Sequence, residues 1–129
     1  MYDAENLVLQ AKISREIAYA PYSKFKVGAA VLTSTNKIFI GCNVENSSYG
    51  ATICAERSAV TAAVSNGEIK FKAIAIIASI GGYCFPCGIC RQVLSEFSKD
   101  GNMEILVCNP IGQFKRYLLK DLLPEAFLL

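Results

Sequence analysis

The chain has 129 residues, of which 53% are hydrophobic and 19% charged, with a formal net charge of +2 at pH 7. This length predicts a single domain, 1–129, that buries one core of its own. The slight and scattered positive charge argues against a nucleic-acid partner. The chain has no apolar run of membrane length and no signal-peptide pattern, which predicts a cytoplasmic protein without a membrane partner.

The first half of the chain predicts a helix, two strands and a second helix. Residues 3–19 carry apolar side chains at near-helical spacing, which predicts the first helix. Two apolar, β-branched runs, 25–33 and 37–42, predict a hairpin. After a polar stretch, the segment 54–65 predicts a helix that stops at an Asn-Gly pair.

The second half begins with the most uniformly apolar segment, 72–79, which predicts a central strand buried on both faces. A helix is predicted over 87–99, where an Asp-Gly pair follows and stops it. Two strands and a short amphipathic end are then predicted over 103–108, 113–119 and 121–127. This order of elements predicts an α/β fold, in which a five-stranded sheet carries helices on both faces.

Two cysteine motifs carry the functional signal, in a chain that contains no histidine. Cys54 and Glu56 stand two residues apart, and Cys87 and Cys90 stand three apart in a Pro-Cys-x-x-Cys segment. Three thiolates around a tetrahedral zinc leave one position open for water, which is typical of a catalytic site, and Glu56 is then the candidate proton carrier. Both motifs begin predicted helices, where the dipole favours thiolates. Because Cys54 and Glu56 would diverge within a regular helix, we expect Cys54 at or just before the helix cap.

Three further cysteines, Cys42, Cys84 and Cys108, lie outside these motifs. Each is most simply a small buried apolar residue. Cys84 and Cys42 are also candidates for a fourth ligand, and a fourth ligand would make the zinc site structural and the chain inactive. A disulfide-bonded secreted domain is a further alternative, against which the missing export signal and the hydrophobic content argue.

Arg57 follows Glu56 directly in the chain. Three thiolates make a zinc ion electron-rich and weaken it as a Lewis acid. The planar guanidinium of Arg57 can donate hydrogen bonds to one or two of the sulfurs and so offset their charge. The alternative is an arginine on the exposed face of a helix.

Several separated segments resemble the small homotetrameric cytidine deaminases, in order and spacing over essentially the whole chain. They are 20–25 (APYSKF), 41–46 (GCNVEN), 54–57 (CAER), 86–92 (PCGICRQ) and 122–124 (LLP). The resemblance implies a three-layer α-β-α sandwich with a five-stranded mixed sheet, the cytidine deaminase-like fold. It also implies one Zn²⁺ per chain held by Cys54, Cys87 and Cys90, and a homotetramer with sites shared between subunits.

The reaction implied by the resemblance is the hydrolytic deamination of cytidine and 2′-deoxycytidine to uridine and 2′-deoxyuridine, with ammonia released, as in pyrimidine salvage. In this reaction Glu56 takes a proton from the attacking water and protonates N3 of the ring. The same carboxyl group then carries a proton to the departing amine.

The resemblance further implies which residues contact a nucleoside. Asn43 and Glu45 hydrogen-bond the ribose 3′-hydroxyl, Phe25 stacks near the base, and the backbone of Ala55 contacts the pyrimidine edge. Taken alone, Asn43 is also consistent with the end of a strand, Glu45 with a solvated side chain, and Phe25 with the core.

In the tetramers that the chain resembles, the positions of Tyr49 and Phe127 are contributed to a neighbouring subunit's site. Either aromatic is otherwise ordinary core or interface filling. Phe85 stands where relatives often have a small polar residue, and the chain ends two residues after Phe127. These two departures leave the lid over the base edge undefined.

Three other functions compete with this interpretation. A deaminase of a cytosine nucleoside antibiotic would share the cysteines and Glu56 but would not need Asn43 and Glu45. A tRNA or polynucleotide deaminase would need a basic groove and usually a histidine ligand. A non-catalytic structural zinc domain gives no reason for a carboxyl group beside the metal. The sequence does not decide between cytidine and 2′-deoxycytidine.

Overall fold

In the computed structural model, which describes residues 1–129, five strands form one sheet and four helices pack against it. The helices are α1 (Ala4–Glu16), α2 (Ala55–Ser65), α3 (Gly88–Glu96) and α4 (Leu119–Leu122). The strands are β1 (Val27–Thr33), β2 (Ile38–Cys42), β3 (Phe71–Ala78), β4 (Glu104–Cys108) and β5 (Phe114–Leu118). A 3₁₀ turn (Tyr49–Ala51) precedes α2. None of the helices has the length and hydropathy that a membrane crossing needs.

The strands lie in the order β2-β1-β3-β4-β5. The β3–β4 pair is parallel, and the other neighbouring pairs are antiparallel. β1 and β2 form the predicted hairpin, with Leu32 opposite Ile38 next to the turn. The sheet is therefore mixed, as predicted.

The β3 strand divides its side chains between two apolar cores. Ile74 and Ile76 belong to the core formed with α2, α3 and α4, whereas Ala75 and Ile77 belong to the core formed with α1. A strand covered on both faces needs apolar residues at successive positions, which explains the continuous apolar run that predicted it. The three-layer α-β-α architecture is thereby confirmed.

The ends of several predicted elements are corrected by the structure. The first helix ends at Glu16 rather than at 19, and α3 ends at Glu96 rather than at 99. β1 begins at Val27 rather than at 25, because Phe25 lies in an exposed loop before the strand.

The predicted C-terminal element is wrong in its bounds. α4 follows β5 without a break and ends at Leu122, so only the first two residues of the predicted segment 121–127 are helical. Pro124 cannot continue a helix and restricts the residue before it. Glu125 has a φ of 53°, in the left-handed region, which does not continue a right-handed helix.

Two glycines allow helices to lie directly on the hairpin. A Cβ at Gly28 would be 2.0 Å from the carbonyl oxygen of Ala11 in α1, and one at Gly41 would be 2.2 Å from the amide nitrogen of Ala59 in α2. Only glycine permits backbones to approach so closely. The contact at Gly41 sets the distance between β2 and the helix that carries the Cys54–Glu56 motif.

Candidate active site and metal centre

Three cysteine sulfurs converge at one end of the molecule. The Sγ atoms of Cys54, Cys87 and Cys90 all lie within 4.8 Å of one another, and the Cys54–Cys87 pair is 3.9 Å apart. A tetrahedral zinc with Zn–S bonds of about 2.3 Å separates its sulfurs by about 3.8 Å. The cluster therefore fits a zinc ion held by three thiolates.

Two helix N-termini place these sulfurs. Cys54 is the N-cap of α2 and Cys87 is the N-cap of α3, and each has extended backbone angles. Cys90 is the third residue of α3 and is fully buried. The positive ends of both helix dipoles thus face the cluster, which favours thiolates over thiols. The cap position expected for Cys54 is confirmed.

Glu56 lies in the first turn of α2, and only 5% of its surface is exposed. Cys54 at the cap and Glu56 inside the helix both line the same cavity, together with Cys87. Burial raises the pKa of Glu56 to about 7. The carboxyl group is thus held beside the cysteine cluster, away from bulk water.

The guanidinium of Arg57 contacts the cluster from the α2 side. Its Nη2 donates a hydrogen bond to Sγ of Cys54 at 3.5 Å. A hydrogen bond from the Cys90 thiol and one from Arg57 lower the pKa of Cys54 to about 5. Arg57 therefore stabilises negative charge on a sulfur and is not directed into solvent. Its Nε is buried without a hydrogen-bond partner.

A cavity of about 210 Å³ opens beside the cysteine cluster. Its walls are mainly apolar and carry a few polar side chains, Asn43, Thr52 and Glu56, which is the usual composition of a small-molecule site. The lining residues are Phe25, Val27, Asn43, Thr52, Ile53, Cys54, Ala55, Glu56, Cys84, Phe85 and Cys87. Of the predicted substrate contacts, Phe25, Asn43 and Ala55 are thus brought to the cysteine cluster.

A second cavity, of about 260 Å³, adjoins the first, because Thr52 lines both. It is lined by Tyr22, Ser23, Glu45, Asn46, Tyr49 and Thr52. Glu45 and Tyr49 therefore line the neighbouring cavity and not the cavity that contains the cysteines. Neither cavity is lined by a lysine or an arginine.

Asn43 and Glu45 both bond to the segment around Phe25. Oδ1 of Asn43 accepts from the Val27 amide at 2.9 Å, and its Nδ2 donates to the Phe25 carbonyl at 2.8 Å. The Glu45 carboxylate accepts from the amides of Tyr22 and Ser23 at 2.9 and 3.1 Å, and from the Ser23 hydroxyl.

These bonds leave some capacity for a ligand. Asn43 retains one N–H and one lone pair, and Glu45 has used three of about four acceptor positions. The Ser23 hydroxyl is the largest cause that holds the pKa of Glu45 below its ordinary value. Glu45 is therefore a carboxylate with room for one further donor.

Tyr49 and Phe127 do not line the cavity beside the cysteine cluster of their own chain. They are 83% and 70% exposed. The carbonyl oxygen of Phe127 accepts from Nε2 of Gln92 at 2.9 Å, which ties the C-terminal segment to α3. The core alternative for these two aromatics is wrong.

The cysteines outside the cluster occupy different environments. Cys108 is buried in the core beneath α1, as expected, whereas Cys42 and Cys84 are only half-buried. Cys84 lines the cavity, where burial raises the pKa of its thiol to about 12. Neither Cys84 nor Cys42 belongs to the group of sulfurs that fits a metal.

Phe85 is a cavity residue that the sequence did not assign. It lines the cavity beside the cysteines, and its ring lies 5.3 Å from that of Tyr117 in β5, measured between centroids. Its position directly before the Pro-Cys-x-x-Cys segment is the signal from which this placement follows. Val27, Thr52 and Ile53 also line the cavity, and no pattern in the sequence marks them.

Comparisons with known proteins agree on one family. Residues 1–105 match the family described as the cytidine and deoxycytidylate deaminase zinc-binding region. The cytidine deaminase of Sporosarcina psychrophila is 48% identical over 125 residues, covering 97% of this chain and 91% of that protein.

Two solved structures share the fold at high identity. The cytidine deaminase of Burkholderia pseudomallei superposes with a TM-score of 0.92 at 46% identity, covering 98% of this chain and 100% of that chain. The cytidine deaminase of Mycobacterium tuberculosis superposes with a TM-score of 0.86 at 42% identity and covers 100% of both chains. This chain belongs to the cytidine and deoxycytidylate deaminase family, and its three-cysteine cluster is the zinc site.

Proposed function

We propose that this chain catalyses the hydrolytic deamination of cytidine and 2′-deoxycytidine to uridine and 2′-deoxyuridine, with release of ammonia, as a step of pyrimidine salvage. The observation that carries the proposal is the shared cavity. A buried carboxyl group, Glu56, lines the same apolar-walled space as Cys54 and Cys87 of the zinc site. Relatives that match nearly the whole chain bear the name cytidine deaminase.

The residues divide the chemistry between them. Cys54, Cys87 and Cys90 would hold the zinc ion, which when bound would supply a Lewis acid that lowers the pKa of a water. Glu56 accepts one proton of the attacking water, whose oxygen bonds to C4, and delivers that proton to N3 of the pyrimidine. Glu56 then takes the second proton of this oxygen and gives it to the amine as the C4–N bond breaks, which leaves a carbonyl at C4 and releases ammonia. Arg57 offsets the negative charge of the thiolates through its bond to Cys54.

The cavity residues orient the nucleoside. In the proposal, Phe25 packs against the base, the backbone of Ala55 contacts the pyrimidine edge, and Asn43 and Glu45 bind the ribose 3′-hydroxyl. The free acceptor position on Glu45 and the free N–H and lone pair on Asn43 support the sugar contact.

The charges around the two cavities favour a nucleoside over a nucleotide such as deoxycytidylate. Neither cavity is lined by a lysine or an arginine, and the Glu45 carboxylate lies in the second one. A phosphate bound there would lie beside a like charge. An uncharged nucleoside meets no such penalty.

The competing functions fit the site less well. A structural zinc needs a fourth protein ligand, and the group of residues that fits a metal contains three. A deaminase of a cytosine nucleoside antibiotic would not need the remaining bonding capacity of Asn43 and Glu45.

We include in the proposal a single domain over 1–129, a cytoplasmic location and assembly into a homotetramer. All six cysteines are free, which suits a reducing compartment. Tyr49 and Phe127 are exposed and lie outside their own chain's metal-side cavity, so each is available to the site of a neighbouring subunit. Light scattering on the purified protein tests the tetramer, for which the expected mass is about four times that of the 14.0 kDa chain.

The proposed reaction is tested on purified, zinc-loaded protein. Zinc content is measured alongside ammonia release and the loss of cytidine absorbance. We expect one zinc per chain and stoichiometric conversion of cytidine to uridine. Bound zinc without turnover of any cytosine nucleoside would instead support a structural site.

A further inference from the structure

The main chain of Phe25 is held from both sides by side chains. Its amide donates to Oγ of Ser23 at 3.0 Å, and its carbonyl oxygen accepts from Nδ2 of Asn43 at 2.8 Å. Phe25 as a residue is 37% exposed and belongs to neither apolar core. Since core packing does not hold the Phe25 ring, its position depends on the bonds of its backbone.

Ser23 joins the Phe25 amide to the carboxylate of Glu45. The Ser23 hydroxyl donates to Oε2 of Glu45 while its oxygen accepts from Phe25. The other carboxylate oxygen accepts from the amides of Tyr22 and Ser23 at 2.9 and 3.1 Å. The hydroxyl group of Ser23 therefore connects Glu45, in the wall of the second cavity, to Phe25, in the wall of the first.

The turn that these bonds hold is conformationally unfavourable by itself. Lys24, between Ser23 and Phe25, has a φ of 61°, in the left-handed region that residues other than glycine seldom adopt. Such a conformation persists only where surrounding interactions determine it. The amide of Lys24 donates to the Ala20 carbonyl oxygen at 3.1 Å. The bonds to Glu45, Ser23 and Asn43 hold the residues on either side of Lys24.

We infer that Ser23 is a positioning residue: its hydroxyl links Glu45 to the backbone of Phe25 and thereby places the Phe25 ring in the cavity beside the cysteine cluster. The inference rests on the proposed function, in which this ring packs against the pyrimidine. Serine suits the role because a hydroxyl donates and accepts at once. Alanine does neither, whereas threonine keeps the hydroxyl at an exposed position.

The kinetic test compares Ser23→Ala, Ser23→Thr and the control Ser47→Ala, using cytidine. Ser47 is exposed on the same surface, where its Oγ lies 2.8 Å from the Tyr22 hydroxyl, and it has no bond to Phe25. We expect Ser23→Ala to raise KM about fivefold, the value of one hydrogen bond, with kcat changed much less and zinc content kept. Ser23→Thr should restore most of the affinity, and Ser47→Ala should leave KM unchanged.

A double-mutant cycle shows whether Ser23 acts through Phe25. In a Phe25→Ala background, Ser23→Ala should raise KM less than it does in the wild type, because the ring that it positions is absent and only its bond to Glu45 is then lost. A Ser23→Ala effect of the same size in both backgrounds would overturn the inference, and so would an unchanged KM in Ser23→Ala alone.

Amide hydrogen exchange of Phe25 in the zinc-loaded protein tests the link without any substrate. Loss of the Ser23 acceptor should speed exchange of this amide about fivefold, and Ser47→Ala should not. If Ser23→Ala speeds exchange of the Phe25 amide but the wild-type protein does not deaminate cytidine, the positioning role of Ser23 stands and the proposed function is refuted. Unchanged exchange and KM in an active enzyme would refute the role of Ser23 alone.

Discussion

Nη2 of Arg57 donates a hydrogen bond to Sγ of Cys54 at 3.5 Å. The two residues stand at the start of the same helix, α2, with Cys54 at its cap. The helix terminus and the guanidinium therefore stabilise the same thiolate. In the proposed mechanism, this arrangement offsets part of the charge of the three thiolates, so that the zinc ion would keep enough Lewis acidity to activate water.

Replacing Arg57 by glutamine should lower both zinc affinity and kcat about 10- to 100-fold, because a thiolate loses its charged donor. Chelator competition measures the affinity, and cytidine turnover measures kcat. Arg57→Lys keeps the charge without the planar fork, so we expect intermediate values. The control is Arg116→Gln, on the exposed strand β5. Unchanged zinc affinity and kcat in Arg57→Gln would contradict the charge-offsetting role.

Removal of a cluster cysteine should abolish stoichiometric zinc binding. We expect Cys54→Ser, Cys87→Ser and Cys90→Ser each to lose most of the metal, since two thiolates hold zinc far more weakly than three. Cys42→Ser should keep it, because Cys42 lies outside the group of sulfurs that fits a metal. Metal analysis of the purified variants is the measurement. Zinc lost from Cys42→Ser, or kept in full by Cys90→Ser, would mean that the ligand set is wrong.

The metal site was predictable because its residues are close in sequence and stand at helix starts. Cys87 and Cys90 share one helical turn. Cys54 and Glu56 can both face one ion only if Cys54 lies at or just before the helix cap, so the sequence alone predicts that position. The apolar run of β3 was predictable for a similar reason, since burial on both faces leaves a continuous pattern.

The remainder of the site depends on loop conformations that the sequence does not reveal. Glu45 bonds to Tyr22 and Ser23, more than twenty positions earlier in the chain, through a turn in which Lys24 takes a positive φ. Phe85 joins the cavity wall because the loop after β3 folds back toward β5. The C-terminal segment was misassigned because Pro124 ends α4 earlier than the amphipathic pattern indicates.

Adding one methyl group at Gly41 should destabilise the protein and disturb the zinc site together. The Cβ of Gly41→Ala would lie 2.2 Å from the Ala59 amide nitrogen and 2.8 Å from the Ala55 carbonyl oxygen, so α2 must move away from β2. We expect a loss of about 3 kcal/mol in the free energy of unfolding, measured by urea denaturation of the zinc-loaded protein. Chelator competition should also show weaker zinc binding.

Gly50→Ala is the matched control for this substitution. A Cβ there has no atom within 4 Å, so its free energy of unfolding should change by less than about 0.5 kcal/mol. Equal stability of Gly41→Ala and Gly50→Ala would show that α2 does not need the close approach.

The charges around the two cavities predict discrimination against a 5′-phosphate. We expect kcat/KM for deoxycytidylate to be about 10-fold lower than for 2′-deoxycytidine, because the phosphate would lie beside the like charge of the Glu45 carboxylate. Parallel inhibition measurements with uridine and its 5′-monophosphate separate binding from chemistry. Comparable kcat/KM values for nucleoside and nucleotide would contradict the assignment of a nucleoside substrate.

In the proposed mechanism, Glu56 moves the protons of deamination while the three cysteines hold the metal. The most direct measurement is zinc content and single-turnover conversion of cytidine by Glu56→Gln beside the wild-type enzyme. An amide of the same size cannot accept the proton, so the rate should fall about 10³-fold or more with one zinc per chain retained. Near-normal conversion would show that another group carries the proton, and loss of zinc would show that Glu56 serves the metal instead.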